Sequence, residues 1–386
     1  MEKYPQKGFL IAFGELFLKS ERVKNLFKKR LVSNLSFFLK RENIKGSLRL
    51  LRERIFFETE ENKKVSKILK CVSGISWFAE SFFFKEPSLS GLTDYIAKNY
   101  KEWIKEDEEF ALRVKLEKGL LKESREEVVA KLARRIDRKV NLSRPKKEIF
   151  IEWRKSGCFI YFNKKKGMGG LPTAVSGKVL CLISGGIDSP VASFLMLKRG
   201  AESIWLHFHS FPLLSKTSQE KVRELARIFL KYQSRLKIYF VPFGEIQTVI
   251  RMNVTSKYRI LFYRCLMFKI AEKIAEKEKC LAIVTGESLG QVSSQTLPNL
   301  MIAQEGIKFP ILRPLIGMDK EEIIRLAKKI KTFSISIKPQ DDCCTLFVPR
   351  HPTAEGKIEV VKKLAQKLNA SHLIRKALKG VEVEFY

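Results

Sequence analysis

Apolar residues recur along this chain in three successive rhythms, and each predicts a different block of structure. Over residues 1–60 the run FLIAFGEL reads as a strand, and Val23, Leu26, Phe27, Leu31 and Leu35 then recur at helical spacing. That spacing predicts a helix through ERVKNLFKKRLVSNLSFFLKRE, with Ser20 placed to cap it, and SLRLLRERIFFETE follows as an edge hairpin. Residues 61–165 predict a second α+β domain: the short amphipathic helix ENKKVSKILKCV, the strand ISWFAESFFF, a helix over LSGLTDYIAKNYKEWIKE and the strand EFALRVKLE. A helix over SREEVVAKLARRIDRKV and a hairpin of EIFIEWR and CFIYFNKK around Ser156-Gly157 complete it. Glycine, proline and small residues in KKKGMGGLPTAVSG predict a linker over 166–177. From residue 178 the rhythm changes to short apolar strands, KVLCLIS, SIWLHFHS, KIYFVPF and CLAIVTGE, each followed by a helical stretch. Such alternation predicts an α/β fold with a doubly wound parallel sheet over 178–386.

Charge adds what periodicity cannot. The 386 residues carry 74 Lys and Arg against 42 Asp and Glu, a net charge of +32, and the excess lies in both halves of the chain. A heat-adapted surface usually balances its lysines with glutamates, and this one does not. A polyanion touching much of the surface is the expected partner, and nucleic acid fits best. The hydrophobic content of 45% excludes wholesale disorder. No apolar run reaches the roughly 18 residues that span a bilayer, and the N-terminus lacks a signal-peptide core, so no membrane association and a cytoplasmic location are expected. Seven cysteines without framework spacing argue against structural disulfides, and the absence of Cys-x-x-Cys or a His cluster argues against structural zinc.

The candidate chemistry centres on VLCLISGGIDSPVASFLM, where a buried strand runs through Ser184, Gly185 and Gly186 into a helix. Two glycines let the backbone turn sharply and present N–H groups to an anion. Ser189 is placed to cap the helix and Pro190 to occupy its first position, where phosphate would meet unsatisfied donors and the helix dipole. No lysine ends the loop, so it is not the common NTPase loop.

Ser-Gly-Gly-x-Asp-Ser after a buried strand resembles the PP-loop of ATP pyrophosphatases. Together with HFHSF, TGESLGQVSSQT, RPLIGMDKEEII and the N-terminal GELFLKSERVKNLF, the chain resembles the 4-thiouridine synthetase (ThiI) family over nearly its whole length. The resemblance implies a ferredoxin-like first domain, a THUMP RNA-binding second domain and a PP-loop catalytic domain. It implies an enzyme that adenylates the C4 oxygen of uridine 8 in tRNA and replaces it with sulfur, releasing AMP and pyrophosphate. Some relatives also feed sulfur to thiamine biosynthesis.

Carried onto this sequence, the resemblance sets Leu182 and Ile183 against the adenine and Ser184, Gly185, Gly186, Asp188 and Ser189 around the phosphates of ATP. Asp188 would either link Mg²⁺ to the phosphates or support the loop. His207 and Phe208 would flank the nucleotide, although a strand histidine can equally satisfy a backbone group. Arg264, Gly286 and Gln295 are further nucleotide contacts. Lys320 either neutralises phosphate or sits solvated in a first helical turn. A persulfide is expected on Cys343 or Cys344 in DDCCTLF, with Cys343 the better match, although Asp341 and Asp342 would raise a neighbouring thiol's pKa.

For tRNA, Arg134, Arg135, Arg138, Lys139, Lys146 and Lys147 supply a basic helix and loop. Neither the rhodanese domain of many relatives nor the Cys-x-x-Cys that others carry beside the residue matching Arg264 is found. A sulfur donor such as a cysteine desulfurase or free sulfide is expected, and an iron–sulfur cluster is not evident. A homodimer bridged by one tRNA would fit. Two alternatives compete: a PP-loop ligase adenylating a small molecule, and a non-catalytic tRNA-binding protein.

Overall fold

The computed structural model describes residues 5–15, 19–339 and 352–386. The chain divides into two compact units, Met1–Pro172 and Thr173–Tyr386.

The first unit contains β1 (Gln6–Phe13), α1 (Glu21–Arg41), β2 (Ser47–Leu50), β3 (Ile55–Glu58), α2 (Asn62–Leu69) and β4 (Ile75–Phe84). It continues through α3 (Leu89–Trp103), β5 (Phe110–Leu116), α4 (Arg125–Ala133), β6 (Lys147–Arg154), β7 (Gly157–Tyr161) and β8 (Lys165–Lys166). All the strands form one sheet in the order β2-β3-β1-β4-β7-β6-β5, with β8 on β4. The long β4 joins the halves, pairing antiparallel with β1 and, at Ser81–Phe84, with β7.

Three buried clusters lie along this sheet, one of them formed by strand residues alone: Leu10, Phe56, Ala79, Phe83, Phe159 and Tyr161. The other two are cores that include helices. One gathers Phe9, Leu31, Leu35 and Phe57, and the other gathers Leu92, Leu112, Leu132 and Ile149. Val65, Leu69, Ile75 and Phe78 belong to the first of these cores, so α2 and the start of β4 do not open the second domain as a division at residue 60 would require. Periodicity marks an element but not the core that its apolar face joins.

Three further expectations are corrected here. Ser20 stands at the cap position of α1, but its side chain makes no capping hydrogen bond. Helix α4, opened by a capping box of Ser124 and Glu127, stops at Ala133 rather than running to Val140. The chain beyond it is drawn to β5, where the Phe110 N–H donates to Lys139 O (3.0 Å) and the Asn141 N–H donates to Phe110 O (2.9 Å). Much of the expected linker is also tied down. The Gly169 N–H donates to Ile75 O (2.7 Å), and Ser73 Oγ donates to Leu171 O (2.6 Å). At Gly167 a Cβ would stand 2.3 Å from Ile75 O, which is why a glycine that reads as flexible is in fact close-packed.

The second unit opens with β9 (Lys178–Leu182), α5 (Asp188–Lys198), β10 (Glu202–His209), α6 (Thr217–Phe229), β11 (Lys237–Pro242), α7 (Gly244–Asn253) and α8 (Arg259–Glu278). It closes with β12 (Ala282–Val284), α9 (Leu297–Ala303), β13 (Ile311–Leu312), α10 (Lys320–Lys329), α11 (Phe333–Ser336), α12 (Ile358–Lys367), α13 (Ala370–Lys379) and β14 (Glu382–Phe385). The sheet order is β13-β12-β9-β10-β11-β14, parallel throughout except for β14 against β11. The chain steps from β9 to β10 and β11 on one side, then crosses to β12 on the other. That reversal makes β9 the switch point, and the crevice beyond its carboxyl end is where such sheets bind ligands. Among the described residues, no helix is long and apolar enough to cross a membrane.

Candidate functional site

The turn after β9 is built around Gly185, whose φ of 85° is one that glycine adopts without strain. The Ser184 N–H donates to Ser189 Oγ (3.1 Å), and the Gly186 N–H donates to Ser184 Oγ (3.3 Å). Helix α5 starts at Asp188 with Ile187 in the cap position, so Ser189 is not the cap and Pro190 is the third helical residue rather than the first. Proline is still tolerated there, since first-turn amides have no intrahelical acceptor. The Ser189 hydroxyl folds back onto the loop instead and holds its shape.

Asp188 and Lys320 are 132 residues apart in sequence and meet here: Lys320 Nζ lies 2.6 Å from Asp188 Oδ1. Gln291 Nε2 donates to the other carboxylate oxygen at 3.1 Å. A capping box of Asp319 and Glu322 starts α10 and sets Lys320 at its first position. The alternative of a merely solvated lysine gives way to an ion pair beside the loop.

A cavity opens beside the loop. Its apolar wall comes from Leu182, Ile183, Leu206, Phe208, Met267 and Phe268, and its polar wall from Ser184, Asp188, Ser189, Arg264, Thr285, Glu287 and Gln295, with Gly286 between them. An apolar slot beside a donor-rich turn at a helix N-terminus suits a nucleotide, with the base in the slot and the phosphates at the turn. Gln295 Oε1 accepts from the Ser288 N–H (3.0 Å), which folds the loop after β12 toward the cavity. At Gly286 a Cβ would lie 2.7 Å from Ser189 N, so this glycine allows the strand end to approach the first turn of α5.

His207 does not line the cavity. Its Nδ1 lies 2.7 Å from Ile183 O, and its Nε2 lies 3.2 Å from Ser218 Oγ. A carbonyl can only accept, so Nδ1 carries the proton and Nε2 accepts from the serine. Burial pushes its pKa down to about 4, outweighing the bond to Ile183. The ring is neutral and braces the strand end from behind, while its neighbour Phe208 lines the cavity.

Arg264 reaches the cavity wall from α8 and forms an ion pair with Glu287. Glu287 also accepts from Arg313 Nε (2.6 Å) and Thr285 Oγ1 (2.7 Å). Burial alone would raise the Glu287 pKa, but Arg264, Arg313 and Thr285 together hold it below its usual value. Sequence reading missed Glu287, Arg313, Met267 and Phe268. Glu287 left a trace as an acid at the end of the buried strand LAIVTGE, and Arg313 as the first residue of RPLIGMDKEEII.

Cys343 and Cys344 lie outside the described residues. Among the cysteines described, Cys181 and Cys265 are pushed up to about 11 and Cys280 to about 12 by burial, which leaves them poor nucleophiles at neutral pH.

On the first unit, Arg134, Arg135, Lys139 and Lys146 are exposed, and Arg138 and Lys147 are half-buried. Lys139 pairs with Glu109 (2.6 Å) and Lys146 with Asp107 (3.2 Å), while Arg138 lies over the Tyr100 ring and Lys147 over that of Phe162. The sequence-based reading put the arginines on a helix, but only Arg134 touches one, as the C-cap of α4.

Comparison with known proteins gives a consistent result. The family model described as thiamine biosynthesis protein (ThiI) matches residues 174–370, the ThiI ferredoxin-like domain 8–79 and the THUMP domain 96–163. A probable tRNA sulfurtransferase of Thermoanaerobacter sp. (strain X514) is 38% identical over 371 residues, covering 94% of this chain and 96% of that one. The probable tRNA sulfurtransferase of Thermus thermophilus is 44% identical over 247 residues, a match spanning 64% of this chain and 61% of that one. The crystal structure of a 4-thiouridine synthetase–RNA complex with bound ATP superposes with a TM-score of 0.88 at 31% identity, covering 98% of this chain and 99% of the other. Matched in this way along both units, the chain belongs to the ThiI family.

Proposed function

We propose that this chain is an ATP-dependent tRNA sulfurtransferase that converts uridine 8 of tRNA to 4-thiouridine. The observation that carries the reading is the turn of Ser184–Ser189 with the Asp188–Lys320 pair beside an apolar slot, in a chain similar along its length to a 4-thiouridine synthetase with bound ATP and RNA. ATP supplies the adenylyl group that turns the C4 oxygen into a leaving group. The uridine oxygen attacks the α-phosphorus and pyrophosphate departs; sulfur then attacks C4 and AMP departs.

The chain's residues serve these steps as follows. Leu182, Ile183, Phe208, Met267 and Phe268 hold the base. The turn of Ser184, Gly185 and Gly186, braced by Ser189, surrounds the phosphates. Lys320 offsets the charge on pyrophosphate, and Asp188 aims Lys320. Asp188 is also the carboxylate that would meet a phosphate-bound Mg²⁺, which typically takes one or two protein carboxylates. Arg264 and Gln295 contact the nucleotide. Cys343 or Cys344 accepts the outer sulfur of a persulfide donor such as a cysteine desulfurase, whose own cysteine leaves as a thiol. After that sulfur attacks C4, a second thiol breaks the S–S bond, whereas free sulfide would attack C4 directly without a carrier. The basic surface around Arg134 and Arg135 meets the tRNA backbone. A cytoplasmic homodimer sharing one tRNA belongs to the same reading.

The test is incubation with unmodified tRNA, Mg-ATP and sulfide, with AMP and 4-thiouridine measured together. Both products are expected. AMP without thiolation would point to a small-molecule adenylating ligase, and neither product with tRNA still bound would point to a binding protein. Comparing Cys343→Ala with Cys344→Ala, with a cysteine desulfurase and cysteine in place of sulfide, identifies the sulfur carrier: the variant of the carrier still releases pyrophosphate but forms no 4-thiouridine.

A further inference from the structure

The cluster behind the cavity wall contains two guanidiniums and one carboxylate. Arg264 comes from α8, Arg313 follows β13 and Glu287 follows β12, so three elements meet at one buried anion. Glu287 is 3% exposed, and its oxygens serve Arg264, Arg313 and Thr285. Arg313 Nη1 also donates to Gln304 Oε1 at 3.0 Å. Yet Nε of Arg264 and Nη2 of Arg313 are buried with no hydrogen-bond partner among the described residues. Unmet buried donors are costly, and two cations on one anion leave a surplus of positive charge at the cavity wall. Both features fit an anionic, acceptor-rich ligand.

We infer that Glu287 is a positioning residue for the nucleotide: its carboxylate splints Arg264 against Arg313 and so fixes where Arg264 meets the ligand. The inference rests on the reading of the cavity as an ATP site. The geometry explains why a carboxylate is needed. A glutamine has one acceptor oxygen and two donor hydrogens, so it can satisfy one arginine while presenting N–H to the other. The two guanidiniums would then repel, and Arg264, the one on the cavity wall, would shift.

The experiment is ATP titration by calorimetry on the full chain, at a temperature where circular dichroism shows each variant folded, with tRNA binding measured in parallel. Glu287→Gln is expected to weaken ATP at least about tenfold, the scale of one charge-assisted hydrogen bond, and to leave tRNA affinity unchanged. Glu287→Asp keeps the charge with a shorter reach and is expected to recover part of that loss. Thr285→Val removes a single donor to the carboxylate and is expected to weaken ATP about threefold.

A folded Glu287→Gln protein that binds ATP as the wild type does, with only its Tm lowered, would make Glu287 a structural strut and overturn the inference. If Glu287→Gln does not fold, Thr285→Val decides, and an unchanged Kd overturns the inference. Failure of the wild type itself to bind ATP would remove the nucleotide reading, a result distinct from unaffected variants of a binding protein.

Discussion

Gly286→Ala tests whether the loop and the strand end form one fitted unit. The new methyl carbon would lie 2.7 Å from Ser189 N, 2.8 Å from Ser189 Cα and 2.9 Å from Asp188 C, against the 3.4 Å at which ordinary contact begins. All three atoms are backbone, so no rotamer change relieves the overlap. Either the end of β12 retreats with Thr285 and Glu287, or the start of α5 retreats with Asp188 and Ser189. The displacement needed is roughly 0.7 Å. Overpacking of this kind costs about 1–3 kcal/mol, and each kcal/mol lowers the Tm of a unit this size by about 2–4 °C. Activity should suffer more than stability, because a misplacement of about 1 Å at reacting groups can cost about a hundredfold in rate. Scanning calorimetry of the full chain and AMP release at saturating tRNA measure the two effects. We expect a Tm lower by several degrees and AMP release at least tenfold slower. A Gly286→Ala protein with wild-type Tm and wild-type rate would refute the account of why a glycine stands there.

Asp188→Asn breaks the pair with Lys320 at the edge of solvent, so thermal denaturation should report a loss of no more than about 1 kcal/mol while AMP release falls at least a hundredfold. His207 makes stability pH-dependent. Its folded pKa is about 4, below the ordinary 6.5, so its contribution is complete above pH 6.5 and is lost as pH falls toward 4. That contribution is on the order of 3 kcal/mol, and urea midpoints of wild type and His207→Gln measured across this window should converge at the acid end. Arg134→Ala with Arg135→Ala should weaken tRNA binding and flatten its dependence on salt by about one released counterion for each phosphate the arginines no longer neutralise, read by filter binding at several salt concentrations.

The chain order of strands and helices as far as β12, the parallel pairing of β9, β10, β11 and β12 and the loop at Ser184–Ser189 were legible in the sequence, but the antiparallel β14 was not. Each legible feature depends on neighbouring residues: apolar spacing of 2 or 3.6 sets the element, and Ser-Gly-Gly sets a tight turn at the helix start. Tertiary structure decided what depends on distant residues. Sheet order brought Lys320 to Asp188 across 132 residues, and it made β9 the switch point. The same order gathered Arg264 and Arg313 around Glu287, a meeting that no spacing along the chain announces. It turned His207 toward Ile183 O instead of the cavity, and it folded α2 into the first core. Local geometry follows from local sequence, but which side chains share a site is set by how the sheets stack their elements, and that emerges only once the chain has closed on itself.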